Sequence, residues 1–253
     1  MIESLLTPSL FAFLLVFTRV GTGMMFLPGI AESYVSPTVR LALALLIALV
    51  MAYPLSTLLP KAPGSPLMLA YYMGAEALIG TFIGMLCRLL LSVLHVGGTI
   101  VSMQSGLSAA VMFDTTQASQ GTLLGNLLSM SGLAFWFAMD FHHLALSALF
   151  DSYTLFEPGQ YFPLGDGVEM YSKLLSSCFA MALQITAPIV MVMLLINLGG
   201  GILARLMPQM QVFYLLLPLQ ILTMLFLLSA ISSGFFTTYL GFIEDRLMAL
   251  LHP

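Results

Sequence analysis

An all-α membrane protein of long kinked helices and helical hairpins is what this sequence predicts, and three observations carry the prediction. Of 253 residues, 60% are hydrophobic and 7% charged, with a mean hydropathy of +1.03. A soluble domain needs roughly 25% charged residues to solvate its surface, and seven basic with eleven acidic side chains cannot do that here. Uncharged apolar runs also recur along the chain, and the longest exceed the ~20 residues a helix needs to cross a bilayer.

Six stretches qualify as spans. The first, 10–30, is interrupted by Arg19 and by Gly21 and Gly23. No Lys or Arg precedes it, unlike the basic n-region of a cleaved signal peptide, so it is expected to stay. The second, 41–59, lies uncharged between Arg40 and Lys61, and the third, 67–94, contains Glu76 and Arg88. The fourth is 121–139. The fifth, 174–204, has no charge over 31 residues, and the sixth, 206–243, has none over 38. These two are overlong even after an expected break at Gly199-Gly200-Gly201 and a stop at Pro208. A continuous helix over 211–243 would reach on the order of 50 Å. Either it breaks near Ser232-Ser233-Gly234 or it projects beyond the bilayer into other protein, and the second option favours assembly with partners. Residues 140–173 read as a linker with five acids and one base. The linker lacks the Lys/Arg excess of a cytoplasmic loop, which places Arg40, Arg88 and Arg205 on the inner side.

Between the third and fourth spans lies the most unusual stretch, 97–121. Fifteen of its twenty-five residues are Gly, Ser, Thr, Gln or Asp, yet Asp114 is its only charge. Val111-Met112-Phe113 forms a cluster of bulk directly before that aspartate. Met103 and Met112 lie here too, where packing alone does not call for them. Non-helical backbone at membrane depth must line a cavity or be buried in protein.

Glu76, Gly80, Gly84 and Arg88 recur every four residues and share one helix face. Gly80 and Gly84 permit close backbone approach, as do Gly121, Gly125 and Ser129, so tight helix packing is the plain reading. Glu76 and Arg88 are twelve residues apart, about 18 Å along a helix, and each needs a partner elsewhere. Ionisable groups inside a membrane are costly to bury alone. Arg19, Glu76 and Asp114 therefore fit either a proton relay or structural ion pairs between subunits. Asp140, His142 and His143 resemble metal ligands by type. Adjacent helical histidines diverge by about 100°, however, and an interfacial helix end accounts for them without an ion. Cys87 and Cys178 stand alone in apolar runs as small buried hydrophobes. There is no Ser-His-Asp order, HExxH or Walker loop, so no catalytic residue, cofactor site or metal site is expected. The absence of any basic run argues against nucleic acid.

In order along the chain, these pieces resemble the FliR family of bacterial type III export proteins and its injectisome counterpart. The matching pieces are Arg19 with residues 24–28, the Val35-Ser36-Pro37-Thr38-Val39-Arg40 run, and Glu76-xxx-Gly80-xxx-Gly84. Gln104-Ser105-Gly106-Leu107-Ser108 with Asp114 follows, then Arg205-Leu206-Met207-Pro208-Gln209 with Val212, Phe213 and Pro218. The family often has an aromatic where Ala109 stands, Asp-Pro at Asp114-Thr115, Asn at Gln211 and Asn-Gly-His at Asp140-Phe141-His142. Here the bulk shifts to Met112 and Phe113.

The resemblance implies a FliP-like part over residues 1–168 and a FliQ-like long hairpin over 169–253. It implies a single-copy subunit that joins several copies of FliP and FliQ, with FlhB and FlhA as further partners, in the inner membrane at the flagellar basal body. Unfolded flagellar proteins would pass through the assembly. Gly106, Leu107, Met112, Phe113 and Asp114 would belong to a pore plug, the alternative being a re-entrant connector with no gating role. Glu76, Gly80, Gly84, Arg88, Arg205, Pro208 and Gln209 would serve packing and intersubunit contact. The competing function is a proton-coupled small-solute carrier built on Glu76 and Asp114, which should work alone, whereas an export subunit should be inert without partners.

Overall fold

A computed structural model of the chain describes residues 3–55, 58–60, 62–108, 122–159, 163–207 and 212–251. Among the described residues there are seven helices and no strand. They are α1 (Glu3–Met24), α2 (Pro37–Leu55), α3 (Pro66–Gln104), α4 (Leu123–Ala138), α5 (Phe141–Leu155), α6 (Leu164–Leu206) and α7 (Val212–Leu251). The all-α membrane class is as expected, because in lipid each backbone N–H and C=O must be bonded within its own segment.

Six spans were expected. Among the described residues, four helices are long and apolar enough to cross a membrane, or five if α4 and α5 together make one broken span. The first expected span, 10–30, is displaced: α1 covers 3–24 in 22 residues, and turns follow Met24. The fourth fails alone because α4 has only 16 residues. The linker expected over 140–173 is instead largely helix. Asp140, at φ 58°, turns the chain into α5, and Asp is one of the few non-glycine residues that enter the left-handed region readily.

The break expected at Gly199-Gly200-Gly201 is absent, α6 ends at Leu206 close to the expected stop, and of the two alternatives for the last span the unbroken helix is the one observed. α6 runs 43 residues through Gly199-Gly200-Gly201, about 65 Å, and α7 runs 40 residues, about 60 Å. Glycine loses its helix penalty where no water competes for the backbone. A Cβ at Gly200 would collide with the Leu216 side chain, so the missing side chain is the space α7 uses. Around Ser232 to Gly234 the hydroxyls bond back along the helix. Ser232 Oγ donates to the Ser229 carbonyl at 2.9 Å and Thr238 Oγ1 to the Gly234 carbonyl at 2.7 Å.

Two compact units interleave along the chain. One comprises Met1–Leu90, Trp136–Leu175 and Asp245–Pro253; the other comprises Leu91–Phe135 and Ser176–Glu244. In the first, α2 turns Ala44 and Ala48 inward toward α1 and leaves Leu46, Leu49, Val50 and Tyr53 exposed. Small residues inside and large apolar ones outside is the arrangement of a lipid-facing helix. α3 buries Ile79, Ile83, Leu86, Cys87 and Leu90, while α5 buries Phe141, Ala145 and Leu149. In the second unit, Cys178, Ala182, Ile185, Ile189 and Met193 make the inner face of α6, and Met224, Phe235 and Tyr239 that of α7. Both cysteines are buried, as expected.

Candidate functional site

The unusual stretch 97–121 divides at its own middle. Residues 109–121, with Ala109, Met112, Phe113, Asp114 and Gly121, lie outside the described residues. Its first part is ordinary helix, since α3 continues to Gln104. That continuation follows from a glycine contact in the second unit. A Cβ on Gly98 would stand 2.7 Å from the Gly125 Cα and 2.9 Å from the Leu124 carbonyl oxygen, so α3 and α4 meet backbone to backbone.

Polar side chains line both flanks of this contact. Thr99 Oγ1 donates to the His95 carbonyl at 2.8 Å and lies 3.2 Å from Thr122 Oγ1. Thr122 Oγ1 accepts the Gly125 N–H at 3.2 Å. One turn further, Ser129 Oγ donates to the Gly125 carbonyl at 2.8 Å and sits 3.2 Å from His95 Nδ1. Each hydroxyl is satisfied by its own helix and by its neighbour, so the seam carries polarity without unpaired cost. Thr99 and Thr122 are 23 residues apart and within hydrogen-bond distance.

At the exit of α3, the Ser105 N–H bonds to the Val101 carbonyl at 2.9 Å, and Gly106 follows at φ 72°. That conformation favours glycine. Space is not the constraint, because a Cβ there would meet Gln220 Oε1 and Leu217 Cγ at ordinary contact distances of 3.6 and 3.8 Å. Gln220 Nε2 in turn donates to Asn197 Oδ1 at 2.5 Å. Leu107 is half-buried beside the turn. Neither Asn197 nor Gln220 was anticipated from sequence, although each is one of few amides within a long uncharged run.

The first unit holds a separate buried charge site. Arg19 on α1 and Glu76 on α3 form a two-pronged ion pair, Nε to Oε2 at 2.6 Å and Nη2 to Oε1 at 3.2 Å, with both side chains fully buried. Arg19 also donates from Nη1 to Ser152 Oγ and from Nη2 to the Phe156 carbonyl, each at 3.1 Å, and its guanidinium lies 3.9 Å from the centre of the Tyr153 ring. Glu76 Oε1 additionally accepts the Gly159 N–H at 3.3 Å. The partner that Glu76 needs is therefore Arg19 of the same chain. Ser152 and Tyr153 escaped sequence reasoning because residues 140–173 read as linker; the helical spacing of Phe141, Ala145, Leu149 and Ser152 was the available signal.

The face carrying Glu76 also packs as its glycines suggest. A Cβ on Gly80 would collide with the Arg19 carbonyl oxygen, and one on Gly84 would lie 2.5 Å from that of Gly23. Arg88 breaks the pattern, being exposed and without an ion-pair or hydrogen-bond partner among the described residues. Arg205, near the end of α6, is likewise exposed, while Pro208, Gln209 and Gln211 lie outside the described residues.

Asp140, His142 and His143 come closer than the helical divergence predicts. One ligand atom from each lies within 4.8 Å of the others, and the two rings stand 4.1 Å apart. Asp140 Oδ1 and His143 Nδ1 are 3.7 Å apart, both on side chains that are about 70% exposed. The left-handed turn at Asp140 brings them together.

A helical chain with several apolar spans, a fully buried ion pair and a polar seam is a multi-pass membrane protein. Residues 10–245 match the family described as bacterial export proteins, family 1, and the chain belongs to that family, the FliR family. It is similar to the flagellar biosynthetic protein FliR of Caulobacter vibrioides, 34% identical over 220 residues that cover 87% of this chain and 88% of that one. FliR of Bacillus subtilis is 31% identical over 215 residues, 83% and 82% of the two chains. The Yop proteins translocation protein T of Yersinia pestis is 28% identical over 149 residues, 58% and 57% of the two chains. The chain is thus a multi-pass inner-membrane component of an export apparatus that works with other components.

Proposed function

We propose that this chain is the single-copy core subunit of the flagellar type III export gate. With several copies of FliP and FliQ it forms the channel through which unfolded flagellar proteins cross the inner membrane, and FlhB and FlhA join the assembly. It has no catalytic role. Residues 1–168 act as the FliP-like part and 169–253 as the FliQ-like hairpin. Residues 97–121 form the closing element, with Met112 and Phe113 as the seal and Asp114 as its anchor.

The observation that supports this reading is the Thr99–Thr122 contact, which holds Thr122, the residue just after the polar stretch, beside α3. The late helices support assembly. Each is about twice as long as the ~30 Å hydrocarbon core, and only 33% of the apolar window of α6 and 11% of that of α7 are buried within the chain. Apolar surface beyond lipid needs protein to cover it. The carrier alternative would require Glu76 to exchange protons with water, yet Glu76 is fully buried against Arg19.

The test is to assemble the gate with Met112→Ala and Phe113→Ala and to measure ion leak across the membrane. The double variant is expected to leak while still assembling. Wild-type conductance would remove the gating role and leave only a connector.

A further inference from the structure

We infer that Asp140, His142 and His143 bind a divalent transition ion, such as zinc, at the turn between α4 and α5. The site depends on that local turn and on no gating role. A carboxylate and two imidazoles, with a water in the fourth position, are a donor set that zinc takes. One ligand atom from each of the three side chains lies within 4.8 Å of the other two. Asp140 Oδ1 and His143 Nδ1 are 3.7 Å apart. Zinc bonds of about 2.0–2.2 Å place tetrahedral ligands roughly 3.4 Å from one another, so small rotations of exposed side chains complete the geometry. Adjacent histidines on a helix diverge, yet these two rings stand 4.1 Å apart.

The ordinary uses of these side chains do not account for them. Asp140 occupies the N-cap position of α5, where a carboxylate normally accepts an N–H from the first turn, but its side chain makes no capping bond. Its backbone closes the turn instead. The Asp140 N–H donates to the Phe137 carbonyl at 3.3 Å, and its carbonyl accepts the His143 N–H at 2.9 Å. The carboxylate is thus held at a fixed left-handed residue and left available. His142 is half-buried between the rings of Phe137 and His143, 5.2 and 4.1 Å away, and its Nδ1 is shielded from solvent with no hydrogen-bond partner. A buried polar atom without a partner points to a water or ion at that place, and a bound ion, or a water in its shell, supplies one. Asp140 and His143 are each about 70% exposed, which gives the ion its way in from water. Once bound, the ion ties the residue that makes the turn to the first turn of α5.

The experiment uses the full chain, purified in detergent with the subunits it retains, without a polyhistidine tag and after treatment with a chelator. Zinc bound per copy of this chain is measured by equilibrium dialysis over a range of free zinc. Wild type is expected to hold one zinc more than Asp140→Asn, His142→Gln or His143→Gln. In each variant the site should bind at least tenfold more weakly, since loss of even an outer-shell partner costs about 10–100-fold. Asn accepts the left-handed conformation as Asp does, so Asp140→Asn removes the charged ligand and keeps the turn. His143→Cys replaces an imidazole with a thiolate, another zinc ligand, and should keep the extra zinc. Equal zinc content in wild type and all three ligand variants would overturn the site. Zinc lost with either histidine but kept in Asp140→Asn would also overturn it, leaving a surface histidine pair. Should a Gln variant fail to fold, Asp140→Asn decides alone: one zinc fewer than wild type supports the site, and equal zinc refutes it.

Discussion

Glu76→Gln is expected to strip most of the folded chain from the membrane. The substitution keeps shape and removes charge, leaving the Arg19 guanidinium fully buried without its counter-ion. Breaking a buried pair from one side costs about 3–5 kcal/mol, because the surviving charge has neither water nor partner. A protein of ordinary stability has roughly 5–15 kcal/mol in all. Glu76 also accepts the Gly159 N–H, and Arg19 bonds to Ser152 and the Phe156 carbonyl, so one charge organises α1, α3 and the end of α5 together. The paired variant Arg19→Met with Glu76→Leu should recover much of the lost protein, since an apolar pair of similar volume often replaces a buried ion pair at little cost. Recovery should be incomplete, because the Phe156 carbonyl and the Gly159 N–H each lose a bond. The measurement is the amount of chain in membranes and its thermal unfolding in detergent. Near-normal levels of Glu76→Gln would mean that the pair contributes little.

Gly84→Val carries the second large effect. Even the first carbon of a side chain at Gly84 would sit 2.5 Å from the Gly23 carbonyl oxygen and 2.8 Å from Phe26 Cβ. The nearest obstacle is backbone, so no rotamer change relieves it, and α1 must move off α3. Overpacking of this kind typically costs about 1–3 kcal/mol where neighbours yield, and here they cannot yield cheaply. Displacing α1 also pulls Arg19 away from Glu76, which adds to the loss. Gly74→Ala is the control, because nothing lies within 4 Å of its Cβ position. Gly84→Val should fail to accumulate in the membrane while Gly74→Ala accumulates normally. Equal accumulation of the two would refute a close α1–α3 seam.

Much of the fold was legible because membrane helices announce themselves by composition. The charge deficit and the uncharged runs indicated the class, and the four-residue recurrence of Glu76, Gly80 and Gly84 pointed to the α3 face that meets α1. What misled were rules drawn from water. Gly199-Gly200-Gly201 looked like a break because glycine weakens a solvated helix, whereas backbone groups in lipid have nowhere else to bond. Residues 140–173 looked like a linker because acids were counted, while the helical recurrence of Phe141, Ala145 and Leu149 carried the better signal. The Arg19–Glu76 pair could not be derived, because 57 residues separate its partners and sequence offered several candidates for each. The amides of Asn197 and Gln220 were visible as exceptions in apolar runs, but that they would meet each other depended on how α6 and α7 pack.

The lengths of α6 and α7 bear on the life of the chain in the cell. Each spans about 60 Å or more, so a newly inserted copy presents greasy helix that no bilayer can dissolve. Such a copy is a natural target for membrane quality-control proteases until other subunits shield it. Its abundance would then be set by the supply of those subunits more than by its own rate of synthesis, so that unmatched copies are cleared instead of accumulating.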